Sequence, residues 1–269
     1  MEVLAIGNSF SQDATRYLHE IAVAGGQQLN VTNLYYGGCS LAQHVDFASQ
    51  EEAAYEKQVN GDGESHIKAT SREVLTSQPW DFVTLQQASH FSADKGTYQP
   101  YLATLAEYVK QYAPGAQLVI HETWAYEEGS QRLTEELGFT NQREMYDQLE
   151  AAYEQAARDL GGISIVPCGY AFQYALAQGF SNLHRDTFHA SIPQGRYLLA
   201  AVWYEFFTRE NVVGNAFRPE GLSLQEQEFL QRCAHEARLE WEQNHSPDVC
   251  HESAKKSLGS NDEVPYRRL

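Results

Sequence analysis

A serine near the start of the chain and an aspartate–histidine pair about 180 residues later have the residue types that ester cleavage requires. Ser9 lies in Val3-Leu-Ala-Ile-Gly-Asn-Ser-Phe-Ser11, and the pair is Asp186-Thr-Phe-His189. A serine hydroxyl is a weak nucleophile until a base takes its proton. The base needs a carboxylate to fix its tautomer and stabilise its cation, and the developing oxyanion needs donors aimed at it. A spacing of three lets Asp186 and His189 lie together on one short turn, as orienter and base. The bland alternative is that Ser9 or Ser11 only caps a helix, a role serine fills well. The motif gains weight from the distant aspartate–histidine pair.

These residues need elements that bring them together. Val3 to Ile6 is an apolar run suited to a central strand, Gly7-Asn8 supplies turn chemistry, and from Ser11 the period becomes helical through Leu18, Ile21 and Ala22 to Gly25-Gly26. Asp13 adds negative charge to the first helical turn, and Ser9 falls at the positive end of the helix dipole, beyond a strand end where open α/β sheets bind ligands. A second strand over 29–36 ends at Gly37-Gly38, whose backbone can approach a ligand and offer an N–H. Residues 42–68 are polar and predict a surface excursion with some helix, followed by a short helix over 67–75. Phe82 to Leu85 is a strand ending in Gln86-Gln87-Ala88-Ser89, where strand alternation turns only one glutamine to the crevice.

Further on, the pattern predicts a helix over 97–112, a strand over 117–121, an acidic loop over 127–140, a helix over 141–160 and a strand over 163–167. Trp124 and Tyr126, just past a strand end, are candidate aromatic walls of a substrate pocket. A short helix over 171–178, a loop over 182–191, an apolar helix over 195–207 and a capped helix over 224–243 complete the pattern, the last opened by Ser223-Leu-Gln-Glu226. Near-apolar strands alternating with helices predict an α/β fold, with a parallel five-stranded sheet covered on both faces. Residues 1–245 read as one domain, followed by a polar tail over 246–269.

The composition narrows the function. With 36 acidic against 19 basic residues and a net charge of -17, the chain lacks the clustered cations that nucleic-acid binding needs. No apolar run approaches the roughly 20 residues of a membrane span. Cys39, Cys168, Cys233 and Cys250 are too scattered for a disulfide framework or a zinc site and are expected to be free thiols. His44, His66, His90, His121 and His184 show no ligand spacing and are expected on the surface or in structural roles, with His184 close enough in sequence to help line the site. No metal or cofactor is expected. As written, the chain has no secretory signal pattern, which leaves a cytoplasmic location and export after leader removal both open.

In combination, Gly7-Asn-Ser-Phe-Ser11, the glycine after the second strand, the amide after the third and Asp186-x-x-His189 resemble the SGNH (GDSL-type) hydrolases. Ile6-Gly-Asn-Ser-Phe-Ser11, Gly37-Gly-Cys-Ser-Leu41, Leu85-Gln-Gln-Ala-Ser89, Thr123-Trp-Ala-Tyr126 and Gly195-Arg-Tyr197 are similar to one branch of them, the DUF4886 family. The resemblance spans about residues 3–207. It implies a flavodoxin-like three-layer α/β/α fold, no metal, and hydrolysis of esters, often acetyl groups on carbohydrate. Carried over, Ser9 is the nucleophile, His189 the base and Asp186 the orienter. The N–H groups of Ser9 and Gly38 and one side-chain amide are the oxyanion donors. The superfamily's Gly-x-Asn-Asp block is replaced here by Leu-Gln-Gln-Ala-Ser, so Gln87 stands in for the asparagine, with Gln86 as the alternative. The leading expectation is a serine esterase acting on small acyl, chiefly acetyl, groups of a glycan. A lipase or thioesterase for longer chains and a non-catalytic glycan-binding module are the alternatives.

Overall fold

The computed structural model describes residues 1–63 and 67–245; the expected tail over 246–269, Cys250 and His66 lie outside the described residues. Among the described residues, seven strands form one sheet in the order β4-β3-β2-β1-β5-β6-β7. They are β1 (Glu2–Gly7), β2 (Asn30–Tyr35), β3 (Tyr55–Val59), β4 (Lys68–Ala69), β5 (Phe82–Leu85), β6 (Gln117–His121) and β7 (Ile165–Val166). Val3, Leu4 and Ala5 have no solvent exposure, which explains why β1 carries apolar side chains on both faces: it is central and covered on each side.

β1 pairs in parallel with β2 on one side and β5 on the other, and β5-β6-β7 continue in parallel. These are the five strands anticipated from the apolar runs. Two more were not anticipated: β3 and β4 extend the sheet beyond β2 as antiparallel strands. Their polar sequences suit a sheet edge, where charged side chains also discourage pairing with another chain. The helix expected over 67–75 is correspondingly shorter. It is α4 (Ser71–Leu75), opened by a capping box in which Thr70 and Glu73 satisfy each other's backbone N–H groups.

Helices flank the sheet. They are α1 (Ser9–Thr15), α2 (Leu18–Ala24), α3 (Leu41–Gln50), α5 (Tyr101–Tyr112), α6 (Gln142–Asp159), α7 (Cys168–Ala177), α8 (Gln194–Thr208) and α9 (Leu224–Asn244), besides α4. The single helix expected from Ser11 to Gly25 is thus two. Ser11 Oγ and Thr15 Oγ1 bond the carbonyls of Asn8 and Ser11 at 2.9 and 2.8 Å, local bonds that compete with helix propagation. The buried α8 packs against α1, α2, α7 and α9, so the C-terminal helices hold the N-terminal ones against the sheet.

Connections run outward from β1 in both directions, to β2 and to β5, which puts a topological switch point at its carboxyl end. Ser9 begins α1 at that point. A side chain at Gly7 has no room there, since a Cβ would stand 2.4 Å from Ser11 Oγ and 2.9 Å from Gln86 Oε1.

One buried acid gives the fold a pH signature. Glu122 follows β6, has no solvent exposure, and accepts the Tyr170 N–H of α7 at 3.0 Å. Burial, reinforced by Glu150, pushes its carboxyl well above the usual carboxylate range, against the N–H groups of Tyr170 and Gly169. A carboxyl raised in the folded state contributes its full stability below its ordinary value and loses that contribution as pH rises. In thermal unfolding, the melting temperature of Glu122→Gln relative to the parent is therefore expected to climb as pH rises from about 4. A pH-independent difference contradicts this.

Candidate active site

Three loops at the carboxyl ends of β1, β2 and β5 are joined by buried amides. Asn8 caps α1 by accepting the Phe10 N–H at 3.0 Å, donates from Nδ2 to Cys39 O at 3.0 Å, and accepts from Gln86 Nε2 at 2.8 Å. Gln86 Oε1 in turn accepts from His121 Nδ1 at 2.7 Å. Gln87 Oε1 accepts the N–H groups of Leu41 and Ala88 at 3.0 and 2.8 Å, and its Nε2 donates to Thr97 O and Oγ1 at 3.0 and 3.1 Å. The Gln87 amide is therefore spent on bracing, Gln86 is tied to Asn8 and His121, and neither residue lines the cavity at the strand ends. The expectation that Gln87, or Gln86, offers an amide to an oxyanion is corrected on this ground: burial made each amide seek partners inside the protein.

The loop between α7 and α8 brings the other half of the constellation. His189 Nε2 lies 2.8 Å from Ser9 Oγ, and its Nδ1 lies 2.7 Å from Asp186 Oδ2. With Nδ1–H donated to the carboxylate, Nε2 is left as the acceptor for the Ser9 hydroxyl. Asp186 also accepts the His189 backbone N–H at 2.9 Å. Partial burial would raise the Asp186 carboxyl, but the two bonds from His189 and the nearby Arg185 outweigh it and hold the group below its ordinary value. Between them Thr187, a β-branched residue, sits at φ 75°, a strained conformation held by the Glu127 N–H donating to Thr187 O at 2.7 Å.

What fixes this loop to the serine helix is an ion cluster that no local sequence pattern indicates. Asp13 of α1 is completely buried, and its carboxylate accepts from Arg185 Nη1 at 3.0 Å, Arg196 Nε at 2.7 Å and the Ala190 N–H at 3.0 Å. Arg185 also donates to Ala190 O. In the sequence Asp13 shows only as first-turn charge for the helix dipole. Its partners lie 172 and 183 residues away, and only the folded chain reveals them.

The aromatics divide. Trp124, expected in the pocket wall, has no solvent exposure and no place in the cavity lining. It stacks between Phe10 and Phe172, with centroids 4.2 and 4.9 Å away, and donates Nε1–H to Phe188 O at 2.8 Å, so it supports the histidine loop from beneath. Tyr126 does line the cavity, and its hydroxyl lies 3.0 Å from Ser89 Oγ. Phe188 packs against His189, ring centroids 3.8 Å apart and planes tilted by 36°, and carries the Arg132 guanidinium 4.1 Å from its ring centre.

His184 Nε2 donates to the main-chain oxygen of Ala125 at 3.0 Å, and burial lowers its pKa; it is a structural residue outside the lining. Buried His44 and His121 are structural too, both brought to about 3 by burial. His90, in contrast, lines the cavity mouth. Cys39, Cys168 and Cys233 are buried free thiols, and the described residues contain no cluster of acids, cysteines and histidines able to hold a metal. None of the helices among the described residues is long and apolar enough to cross a membrane.

The cavity has a volume of about 590 Å³ and is lined by Ser9, Gly38, Tyr35, Ser89, His90, Tyr126, Arg132, Glu136, Phe188 and His189 among others. Gly38 adopts φ +66°, and its N–H meets no acceptor among the described residues; the same holds for the N–H of Ser9 at the head of α1. The site thus presents a hydroxyl, an imidazole acceptor and two unclaimed backbone donors to one space.

A family model described as a domain of unknown function, DUF4886, matches residues 2–237. The chain belongs to the DUF4886 family. A DUF4886 family protein from Bacteroides uniformis is similar in structure, with 34% identity and a TM-score of 0.81 over 89% of this chain and 95% of that one. A protein from Slackia heliotrinireducens assigned to the SGNH hydrolases has 29% identity and a TM-score of 0.57, over 77% of this chain and 98% of that one. An acetyl xylan esterase shares the fold at 14% identity and a TM-score of 0.52, over 77% of this chain and 99% of that one. No curated protein matches. The fold of this DUF4886 chain is therefore that of the SGNH hydrolases, in agreement with the resemblance read from its motifs.

Removing one member of a buried ion pair leaves charge without compensation, at a cost of several kcal/mol. Asp13→Asn is expected to lower the unfolding free energy by about 3 kcal/mol, toward the low end because both arginines keep some solvent contact. Equilibrium unfolding in urea measures it. A loss under about 0.5 kcal/mol, the range of ordinary surface changes, contradicts the bolt.

Proposed function

We propose that this protein is a serine esterase that removes small acyl groups, acetyl foremost, from a polar alcohol such as a carbohydrate. The observation that carries the reading is the continuous chain from Ser9 Oγ through the His189 ring to Asp186, at 2.8 and 2.7 Å. Hydrogen-bond reach between nucleophile and base is the first requirement for such chemistry. Membership of a family that shares its fold with SGNH hydrolases supports the same reaction class.

Each step uses a group already in place. His189 Nε2 takes the Ser9 proton as Oγ attacks the ester carbonyl, and Asp186 stabilises the imidazolium so formed. The N–H groups of Ser9 and Gly38 donate to the oxygen that gains charge. Collapse of the tetrahedral intermediate breaks the bond to the alcohol, which leaves with the proton from His189. Water then repeats the sequence on the acyl-enzyme, releasing the acid and restoring Ser9. The cavity's lining sets the polar side chains of Ser89, His90, Arg132 and Glu136 beside Phe10, Leu137 and Phe188, a mixture that suits a small acyl group on a polar alcohol.

Hydrolysis of 4-nitrophenyl acetate tests the reading. Ser9→Ala is expected to lower kcat by at least about a thousandfold, and Asp186→Asn by about as much. The parent's rate should fall from the acetate to the octanoate ester. Equal rates for parent and Ser9→Ala remove the catalytic assignment, and a rate that rises with chain length favours a lipase.

A further inference from the structure

The proposed esterase chemistry, on which this inference rests, still lacks a side-chain donor for the oxyanion, because the Gln87 amide is given to Thr97 and Gln86, bonded to Asn8, does not line the cavity. Counting protons at the end of the same strand supplies one. Ser89 Oγ and Tyr126 OH lie 3.0 Å apart, and either can be the donor. Two hydroxyls carry two protons, and the single bond between them uses one. Among the described residues neither oxygen has another hydrogen-bond partner, so one O–H proton is left over whichever way the bond runs. Both residues are nearly fully buried, at 6% and 4% exposure, yet both line the cavity that holds Ser9 and Gly38. A buried donor without an acceptor carries a cost that a ligand oxygen relieves.

The pair is also held in place. Ser89 O accepts the Ser92 hydroxyl at 2.8 Å, and Ala88 N–H is fixed by Gln87 Oε1 at 2.8 Å. The Tyr126 N–H meets Met145 Sδ at 3.3 Å, and the Tyr126 carbonyl accepts from Gln142 Nε2 at 2.8 Å. Burial raises the Tyr126 phenol above its ordinary value, so it stays protonated across the working range. Other hydroxyls compete less well: Tyr35 lines the cavity but is only half-buried, where water can satisfy it.

We infer that the Ser89–Tyr126 hydroxyl pair is the third oxyanion donor of this site, beside the N–H groups of Ser9 and Gly38. Its proton can be delivered from either oxygen, with the other hydroxyl donating to the deliverer and polarising it. This shared donor predicts a pattern that a single dedicated residue does not give. Ser89→Ala leaves the Tyr126 proton free, and Tyr126→Phe leaves the Ser89 proton free. Only the double variant has none.

The test is steady-state hydrolysis of 4-nitrophenyl acetate by the parent, both single variants, the double variant and Ser9→Ala, with melting temperatures in parallel. Each single variant is expected to keep kcat within about tenfold of the parent. The double variant is expected to lose about 10²–10³-fold in kcat with KM little changed, the signature of a donor used in the transition state. Each change deletes one oxygen and leaves ring and backbone in place; should the double variant not fold, Ser89→Gly combined with Tyr126→Phe, which also removes both hydroxyls, takes its place. A hundredfold loss in either single variant with an unchanged melting temperature overturns the shared donor. So does parental kcat in the double variant while Ser9→Ala remains inactive, and that result leaves the esterase reading standing. Hydrolysis that does not depend on Ser9 overturns both.

Discussion

The site depends on one buried carboxylate. Asp13 lies on the helix that Ser9 begins, and it gathers Arg185, Arg196 and the Ala190 N–H, which bracket His189 in sequence. Ser9 and His189, the proposed nucleophile and base, come from opposite ends of the chain, and nothing in the sheet alone sets the distance between them. An ion cluster around a fully buried carboxylate does, because any slippage would leave that carboxylate without partners in a low-dielectric interior. The 2.8 Å contact between Ser9 and His189 follows from that anchoring.

Around this bolt, polar side chains are used as staples between loops. Asn8 ties the serine turn to the Gly38 loop, and Gln87 ties the start of α3 to the segment near Thr97. Backbone donors that must stabilise a transient charge are useful only if they do not reorganise during the reaction, and loops laced in this way cannot easily move. The strain at Thr187 fits the same picture. The turn that places Asp186 beside His189 takes a left-handed conformation at Thr187, and the bonds to Glu127 and Asp13 hold a side chain there that would not choose it.

Much of this is legible in the sequence, and the gaps have physical causes. Apolar runs declare β1, β2, β5, β6 and β7, whereas β3 and the edge strand β4 are short and polar and resemble loop. Ser9, Asp186 and His189 stand out because their types and spacings are tied to a reaction. Asp13 does not, since an acid in a first helical turn already has an adequate local explanation, and its arginines lie far along the chain. Gln87 and Trp124 suggest cavity residues because they follow strand ends. Whether such a residue points into a crevice or into the neighbouring loop depends on packing that no local pattern encodes, and both point inward.

The central claim is that Ser9 is an activated nucleophile because Asp13 holds His189 against it. Reaction with a fluorophosphonate, followed by peptide mass spectrometry, reads nucleophile identity and activation together. The account predicts a single adduct on the peptide containing Ser9, formed much more slowly in Asp13→Asn at a temperature where that variant remains folded. An adduct on another residue, or equal labelling rates in the two proteins, would contradict it.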